Sequence, residues 1–253
     1  MSLRSLGPVL LALLLTTSGC LGVIDSRPPS DDRAVDLRDR VGESIAGVES
    51  YRFDSFVSVA AADGESSRSV TADGEGAVNH STKHIRSVAE TDGEERRGYV
   101  VDYTAYRECS EPWDGWGVED LDEETPWRHF APLGRTFELL NQSRVYWRGT
   151  ETVNSTETAV VVAHPTAETF SSVADRPDAS VSTRGLQNAT LTVWVDRETA
   201  LPVRSRLEID VKRGGATAGA TVTTNYVDYG EPVTVSVPDS VYTDRHELGC
   251  PGA

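Results

Sequence analysis

The side chains best suited to metal chemistry are five histidines and one run of carboxylates. His80 and His84 have the spacing that places two imidazoles on one face of a helix, where both could bind one metal ion. The surrounding sequence predicts strands, on which residues four apart are separated by about 13 Å, so we expect ordinary surface or strand histidines. The run at residues 119–124 offers oxygen ligands to calcium, but it lacks the ordered glycine alternation of a dedicated loop. A solvated acidic loop is favoured, and we predict no metal and no cofactor.

Motifs for covalent or nucleotide chemistry are missing from the sequence. It contains no Gly-x-Ser-x-Gly elbow, no Walker loop, no dinucleotide-binding glycine pattern and no His-Glu-x-x-His pair. The 40 acidic residues guarantee accidental carboxylate pairs, so such a pair does not by itself indicate general acid–base catalysis. We predict no catalytic residue. A hydrolase acting on polysaccharide or lipid is the least favoured alternative.

Cys20 is the residue whose context most strongly indicates covalent modification. Before it come Arg4, an apolar run at residues 6–15 and the small residues 16–19, an order typical of an export signal. A cysteine directly after such a cleavage site resembles the lipobox of prokaryotic lipoproteins, whose thiol receives a lipid and becomes the first residue of the mature chain. Thr17 departs from that pattern, because the usual lipobox has leucine three positions before the cysteine.

An uncleaved signal anchor is the alternative for this leader. Residues 5–24 carry no charge, and twenty residues just suffice to cross a bilayer. Glycine and proline interrupt that stretch, which makes a continuous helix poor and favours lipidation. We therefore expect export, with the protein held at the outer face of the cell membrane by a lipid on Cys20.

The two remaining cysteines, Cys109 and Cys250, are an even pair in a chain that we expect to be exported, which indicates one disulfide. The bond would attach the C-terminal tail, residues 239–253, to the body of the domain. Two unpaired thiols are the alternative. Four glycosylation sequons also suit an exported chain, and we expect at least one to be occupied; they begin at Asn79, Asn141, Asn154 and Asn188.

The segment 103–127 concentrates aromatic residues around Cys109 and has two interpretations. It could form an aromatic rim that grips acyl chains or sugars at a cavity mouth. It could equally be a small hydrophobic cluster beneath a loop pinned by the disulfide, and this is the favoured interpretation. The candidate ligand-binding residues under the first interpretation are Tyr103, Tyr106, Trp113 and Trp116.

The charge balance narrows the possible partners. The formal net charge is −16, and among 24 basic residues only Lys83 and Lys212 are lysine. Such an acidic, lysine-poor chain resembles proteins of salt-loving archaea, because concentrated salt screens the repulsion between surface carboxylates. An ordinary acidic secreted protein is the alternative. In either case the charge argues against nucleic acid and against electrostatic attachment to anionic lipid headgroups.

Hydrophobic periodicity then predicts the elements that carry these residues. A flexible tether precedes a helix that begins near Asp31 or Asp32. Its apolar stripe consists of Leu37, Val41, Ile45 and Val48. Alternation from Tyr51 onwards predicts a half-buried strand, and Asp-Gly pairs at 63–64 and 73–74 predict turns. Further predicted strands cover residues 75–80, 84–89, 97–103, 144–149, 157–164, 189–196, 203–211 and 218–229, with helices at 133–142 and 166–174.

This pattern predicts a mainly β, α+β fold: an antiparallel curved sheet or half-open barrel with a leading helix and two covering helices. Several stretches resemble the LppX/LprG-type lipoproteins, in which a tryptophan and an aspartate end one strand and a Leu-Pro opens the next. These stretches are WVDRETALPV at 194–203, DYGEPV at 228–233 with Val-Pro at 237–238, SYRF at 50–53, and the turn at Asn154.

The resemblance implies the LolA/LolB-like fold, a half-barrel around an apolar cavity in which family members hold lipids or acyl chains. That cavity is defined by shape, so the resemblance identifies no ligand-contacting residue. The cysteine pair, the tryptophan-rich segment and the acidic surface are departures from the shared pattern.

The sequence thus predicts a signal peptide at 1–19, a tether at 20–32, a LolA-like domain at 33–238 and a tail at 239–253. The expected function is non-catalytic binding of a hydrophobic or lipidic ligand. A structural or interaction protein of the cell envelope is the alternative. Protein partners and oligomeric state stay open.

Overall fold

A computed structural model of the chain describes residues 27–63, 66–174 and 185–251. Cys20, the leader and most of the predicted tether lie outside these residues. The element bounds are α1 Asp32–Ala46, β1 Ser50–Ala62, β2 Ser67–Asn79, β3 His84–Thr91, β4 Glu94–Val101, β5 Thr104–Glu108, β6 Trp116–Asp120, a 3₁₀ helix Trp127–Phe130, α2 Pro132–Asn141, β7 Arg144–Val153, β8 Thr156–His164, α3 Ala167–Ala174, β9 Leu186–Asp196, β10 Pro202–Arg213, β11 Ala216–Val227, α4 Ser240–Thr243 and β12 Arg245–His246.

All twelve strands belong to one curved sheet in the order β12-β6-β5-β4-β3-β2-β1-β11-β10-β9-β8-β7. Neighbouring strands are antiparallel except for the short β12, which runs parallel to β6. The helices α1, α2 and α3 pack on the concave face, where the main core lies. The predicted fold class, a curved mainly antiparallel sheet with covering helices, is confirmed.

The leading helix forms where the sequence predicts it. The Asp31 carboxylate caps α1 by accepting hydrogen bonds from the backbone N–H groups of Arg33 (2.9 Å) and Ala34 (3.4 Å). The predicted stripe is buried against the sheet and α2. Gly42 allows the close approach of α2, because a Cβ at this position would lie 2.6 Å from the Phe137 ring. The helix is therefore held by packing and not by propensity.

Two local predictions are wrong. Asp73 and Gly74 do not form a turn but lie inside β2, paired with Phe56 and Ser55. Gly74 is needed for a close approach, since a Cβ there would lie 2.5 Å from the Ser55 hydroxyl. The predicted strand over 97–103 ends at Val101, because the backbone turns at Asp102 with a φ of 52°. The segment 103–127, in which the sequence pattern indicates no strand, contains β5 and β6.

The register aligns one row of inward-facing side chains across seven strands. Starting at β1 and moving across the sheet, Val57 pairs with Val222 and Val222 pairs with Leu207. The row continues through β9 and β8 to β7. On the other side Val57 pairs with Ala72 of β2. In order from β2 to β7 the row is Ala72, Val57, Val222, Leu207, Leu191, Ala163 and Val145. This row is the reference level for the site described next.

Candidate functional site

A cavity of about 310 Å³ lies between the concave face of the sheet and the helices α2 and α3. Its floor is formed by β1, β9, β10 and β11, and its roof by one face of each helix. The lining is dominated by hydrocarbon side chains, namely Phe53, Leu139, Phe170, Val173, Leu191, Leu207, Ile209 and Val222. A volume at the lower end of the roughly 300–1,000 Å³ of small-molecule sites suits a single slender apolar group.

The roof helix α2 is fixed in place at its first turn. The Tyr51 hydroxyl accepts a hydrogen bond of 3.1 Å from the backbone N–H of Leu133, inside the protein. Burial raises the pKa of Tyr51 far above its ordinary value, so this hydroxyl stays protonated. Because the start of α2 is anchored, its next turn presents Thr136 and Leu139 to the cavity.

A cluster of buried hydroxyl groups interrupts the apolar lining. The Tyr226 hydroxyl lies 2.8 Å from the Thr136 hydroxyl and 3.0 Å from the Ser205 hydroxyl. Burial raises the pKa of Tyr226, although its hydrogen bonds to Ser205, Thr136 and Thr224 oppose the shift. The cluster is therefore neutral, and it can donate to or accept from an ester, hydroxyl or carbonyl oxygen. None of these hydroxyls is a base that could activate Ser205 as a nucleophile.

One cation, Arg135, also lines the cavity. Its guanidinium donates a hydrogen bond of 3.1 Å to the backbone carbonyl of Phe130, at the end of the 3₁₀ helix. The side chain is half-buried. It therefore sets a positive charge at the edge of an otherwise neutral site.

The predicted aromatic residues are spread over three different environments, and none is among the described residues that line the cavity. Tyr103 lies in the turn after β4, on the concave side, with its ring edge-on to Phe130 at 6.0 Å. Trp113 lies in the loop between β5 and β6 and is 46% exposed. Tyr106 and Trp116 are buried on the convex face. Contact of any of the four with a ligand stays a prediction.

Tyr106 and Trp116 belong to a second, smaller core on the convex face. The C-terminal segment covers β4, β5 and β6 there, with Val241 fully buried. The Trp116 indole N–H donates to the Ser240 hydroxyl at 3.2 Å. For these two residues the structure agrees with the favoured interpretation, a small hydrophobic cluster; its buried members are Tyr99, Tyr106, Trp116, Val118 and Val241. We call it the convex cluster.

Cys109 and Cys250 form a disulfide, with their Cα atoms 5.4 Å apart. The predicted pairing is confirmed. The bond fixes the end of the chain beside β6, where β12 pairs with Trp116 and Gly117. A Cβ on Gly117 would meet Cys250, so the bond lies on the face of β6 opposite to Trp116 and Val118. It holds the end of the chain at the β6 edge of the sheet, and neither cysteine lines the cavity.

The histidine pair and the acidic run do not form a metal site in the structure. Across the described ranges, no group of three or more His, Cys, Asp or Glu side chains could hold a metal ion. His80 packs between the Tyr51 and Trp127 rings, with centroid distances of 5.9 and 5.4 Å. In the acidic run, the Asp122 carboxylate accepts a hydrogen bond from the Glu124 backbone N–H and stabilises a turn.

The four sequons differ in accessibility. Asn141 and Asn154 are exposed, and Asn154 lies in the turn between β7 and β8 with a φ of 48°. Asn188 is half-buried in β9. The Asn79 amide donates a hydrogen bond of 2.8 Å to the Val233 carbonyl, so it is already engaged. Glycosylation at any of them stays a prediction.

Sequence reasoning did not identify the residues that line the cavity. Their signal was present as alternation on β10 and β11, where Leu207, Ile209 and Val222 share one face. Alternation identifies an inward face, but it does not distinguish a filled core from a hollow one. The lipidation prediction at Cys20 lies outside the described residues. Within those residues, no helix combines the length and the apolar character needed to cross a membrane.

Comparison with known proteins identifies the fold and nothing finer. No model of a protein family matches the chain, and no curated protein matches it. Among solved structures, the chain is similar to the lipoprotein LppX of Mycobacterium tuberculosis, at 19% identity and a TM-score of 0.51, over 82% of this chain and 100% of that one. It is also similar to LprF from Mycobacterium bovis, at 16% identity and a TM-score of 0.51, over 83% and 99% of the two chains. The predicted resemblance to LppX-type lipoproteins is thus confirmed at the level of the fold.

Proposed function

We propose that this chain is an exported, membrane-anchored protein that binds one acyl chain or a similar slender apolar ligand in the cavity under α2 and α3. It does so without catalysis. The observation that carries the proposal is the cavity itself: about 310 Å³ lined mainly by hydrocarbon, in a domain large enough to have filled it. A void of this size left by natural packing is typical of a ligand site.

The chemistry of the lining supports a lipidic ligand with a polar end. The hydrocarbon walls would hold a chain by excluding water from it. The hydroxyls of Thr136, Ser205 and Thr224 would hydrogen-bond an ester or hydroxyl oxygen where the chain ends. Because these hydroxyls are bonded to one another and to Tyr226, they lie ready in position and need no rearrangement.

Two further features support export and anchoring. The leader of residues 1–19 with Cys20 has the order of a lipoprotein signal, and a structural disulfide is typical of oxidising compartments. LppX, which shares the fold, is itself named a lipoprotein. Mass spectrometry would identify the ligand and the attached lipid.

Native mass spectrometry of the full chain, expressed in a salt-loving host and gently desalted, tests the proposal. We expect a bound mass that solvent extraction removes, and a separate lipid mass on the N-terminal peptide that extraction leaves in place. A chain with no removable mass, before and after incubation with host lipids, would contradict ligand binding and favour a structural protein of the envelope.

A cavity-filling substitution, Leu207→Trp, gives the matched test. Leu207 lines the cavity, and a tryptophan there would occupy the space of the ligand, at an overpacking cost of about 1–3 kcal/mol. The control is Arg206→Trp, the preceding residue on β10, whose exposed side chain faces the other way. We expect the removable mass to disappear from the first variant and to persist in the second. Persistence in both would place the ligand elsewhere.

A further inference from the structure

The concave face continues beyond the cavity as an exposed apolar surface. Val59 of β1 and Val70 of β2 are directly paired across the two strands, yet they are 40% and 49% exposed. Apart from Arg68 on β2, their inward-facing neighbours are apolar and small. We call this surface the apolar strip; it consists of Val57, Val59, Ala61, Val70, Ala72 and Ala220.

The strip is continuous with the cavity. Val57 is paired with Val222, which lines the cavity, and Ser55, the preceding inward-facing residue of β1, lines it as well. From Val57 the inward face leads along the strand to Val59 and Ala61. A ligand that moves along the strands out of the cavity therefore crosses the strip.

The two faces of the same strands carry different charges. Over the full length of β1, β2 and β11, the inward face bears one charged residue, Arg68, which is paired with Ala61. The outward face of the same strands bears three carboxylates and one guanidinium; they belong to Asp54, Asp73, Glu75 and Arg52. In a chain of net charge −16, a surface without carboxylates escapes the general repulsion from anionic lipid.

The chain leaves the sheet at the same end. The Arg27 carbonyl accepts a hydrogen bond of 2.8 Å from Arg144, the first residue of β7. The Asp31 N–H donates to the Val145 carbonyl at 3.0 Å. Val145 belongs to the same cross-sheet row as Val57, so the N-terminal segment departs level with the start of the strip.

Arg27 lies seven positions after Cys20, and an extended chain of that length spans at most about 25 Å. A membrane that holds Cys20, or the apolar run before it, therefore lies within that reach of the β7 edge at this end of the sheet, five strands from β1. A tether of this length also gives a high effective concentration, so a modest apolar surface suffices for contact.

We propose that the apolar strip contacts the hydrocarbon of the lipid bilayer that holds the N-terminus, so that the cavity opens toward the membrane. The inference rests on the proposed anchoring for the presence of the membrane. It does not rest on any ligand in the cavity.

Fluorescence quenching on vesicles tests the orientation with matched variants of the full chain. Val59→Trp and Val70→Trp place a tryptophan on the strip. Phe56→Trp is the control on the opposite face of the same strand. Phe56 is 43% exposed, which is comparable with Val59. Val227→Trp is the control at the other end of the sheet, with 41% exposure. The chain is bound to phosphatidylcholine vesicles whose acyl chains carry bromine, in concentrated salt, and the emission added by each tryptophan is compared with that of the unmodified chain.

We expect the added emission at positions 59 and 70 to be lost to bromine, while that at positions 56 and 227 persists. Equal quenching at all four positions, no quenching at any, or a chain that does not sediment with the vesicles would overturn the inference. A second measurement needs no substitution. In bicelles that carry a spin-labelled lipid, the methyl signals of Val59 and Val70 should broaden and those of Val227 should stay sharp.

The outcome is distinguishable from that of the proposed function. The Leu207→Trp chain, whose cavity is filled, should still show broadened Val59 and Val70 signals. If the chain carries no removable ligand but the strip contacts lipid, the inference stands and ligand binding fails. If the ligand is present and the strip does not contact lipid, ligand binding stands and the inference of membrane contact fails.

Discussion

Both faces of the sheet bury apolar side chains, but the two buried regions differ in how fully side chains fill them. On the concave face, α2 and α3 lie over β9, β10 and β11 and leave about 310 Å³ between them. On the convex face, the C-terminal segment covers β4, β5 and β6, and the side chains of Tyr99, Trp116 and Val241 fill the space. One chain thus builds a hollow core and a solid one on opposite sides of the same sheet.

The difference follows from the shape of the element that packs on each face of the sheet. A helix touches a curved sheet along a ridge, and small or hydroxyl side chains such as Ser55 and Thr224 do not fill what remains. The C-terminal segment is mostly extended with one short helix, so it can follow the convex face closely, and the disulfide between Cys109 and Cys250 holds its end at the β6 edge. The close-packed convex cluster fixes the C-terminal segment, whereas the cavity in the concave core leaves room for a ligand.

Removal of the disulfide should have the largest effect on stability. The bond joins residues 141 apart, and chain entropy predicts a contribution of up to about 5 kcal/mol to the free energy of unfolding. Cys109→Ala with Cys250→Ala should lower the free energy of unfolding in denaturant titration toward that limit. The ligand mass should be retained, because the bond lies at the β6 edge of the sheet and neither cysteine lines the cavity. Loss of the ligand in this variant would show that the two cores are coupled.

Valine truncation compares the two cores directly. Val241 is fully buried in the convex cluster, and Val241→Ala should lower the free energy of unfolding by about 2–3 kcal/mol, the transfer of two methyl groups plus the new cavity. Val222 lines an existing cavity and is half-buried, so Val222→Ala should cost about 1 kcal/mol or less. Denaturant midpoints of the two variants check this. Equal costs would mean that the concave core is as well filled in solution as the convex cluster.

Several elements of this comparison could be predicted from the sequence. The Asp31 cap, the stripe of α1 and the alternation of β1 are local patterns, and the structure reproduces them. The pairing of Cys109 with Cys250 was predictable because only two cysteines remain after Cys20. Local periodicity was sufficient to predict the helix and the strand, and the small number of possible cysteine pairs was sufficient to predict the disulfide.

The parts that could not be predicted depend on distant contacts. Gly74 was interpreted as a turn residue, but its role is set by the Ser55 side chain on the paired strand. The tryptophan density of segment 103–127 suited both a rim and a cluster. The burial of Tyr106 and Trp116 depends on the register of Tyr99 with Tyr106 and on a C-terminal segment more than a hundred residues later in the chain. A hollow core likewise has no local pattern, because its volume is set by helices and strands together.

His80 gives the smallest and most specific test of the part of the concave core that lies away from the cavity. The ring lies between Tyr51 and Trp127. Its Nδ1 atom is buried, with no hydrogen-bond partner among the described residues. Burial, and then the nearby Arg128 guanidinium, lowers the pKa of His80 from 6.5 to about 4. The folded state therefore holds the imidazole neutral, while the unfolded state protonates it below its ordinary pKa.

The sign of the pH dependence follows from this difference in proton binding. Between pH 6.5 and about 4 the unfolded chain binds the additional proton, so the stability due to neutral His80 is complete above that window and falls as the pH drops through it. His80→Phe keeps an aromatic ring in the same packing and removes the titration. Carboxylates titrate in both chains, so the measurement is the difference between the two curves of unfolding free energy against pH. That difference should shift in favour of the variant as the pH falls across the window. A constant difference would mean that the imidazole is protonated as readily in the folded protein as in the unfolded chain, and that this part of the concave core is open to water like the strip.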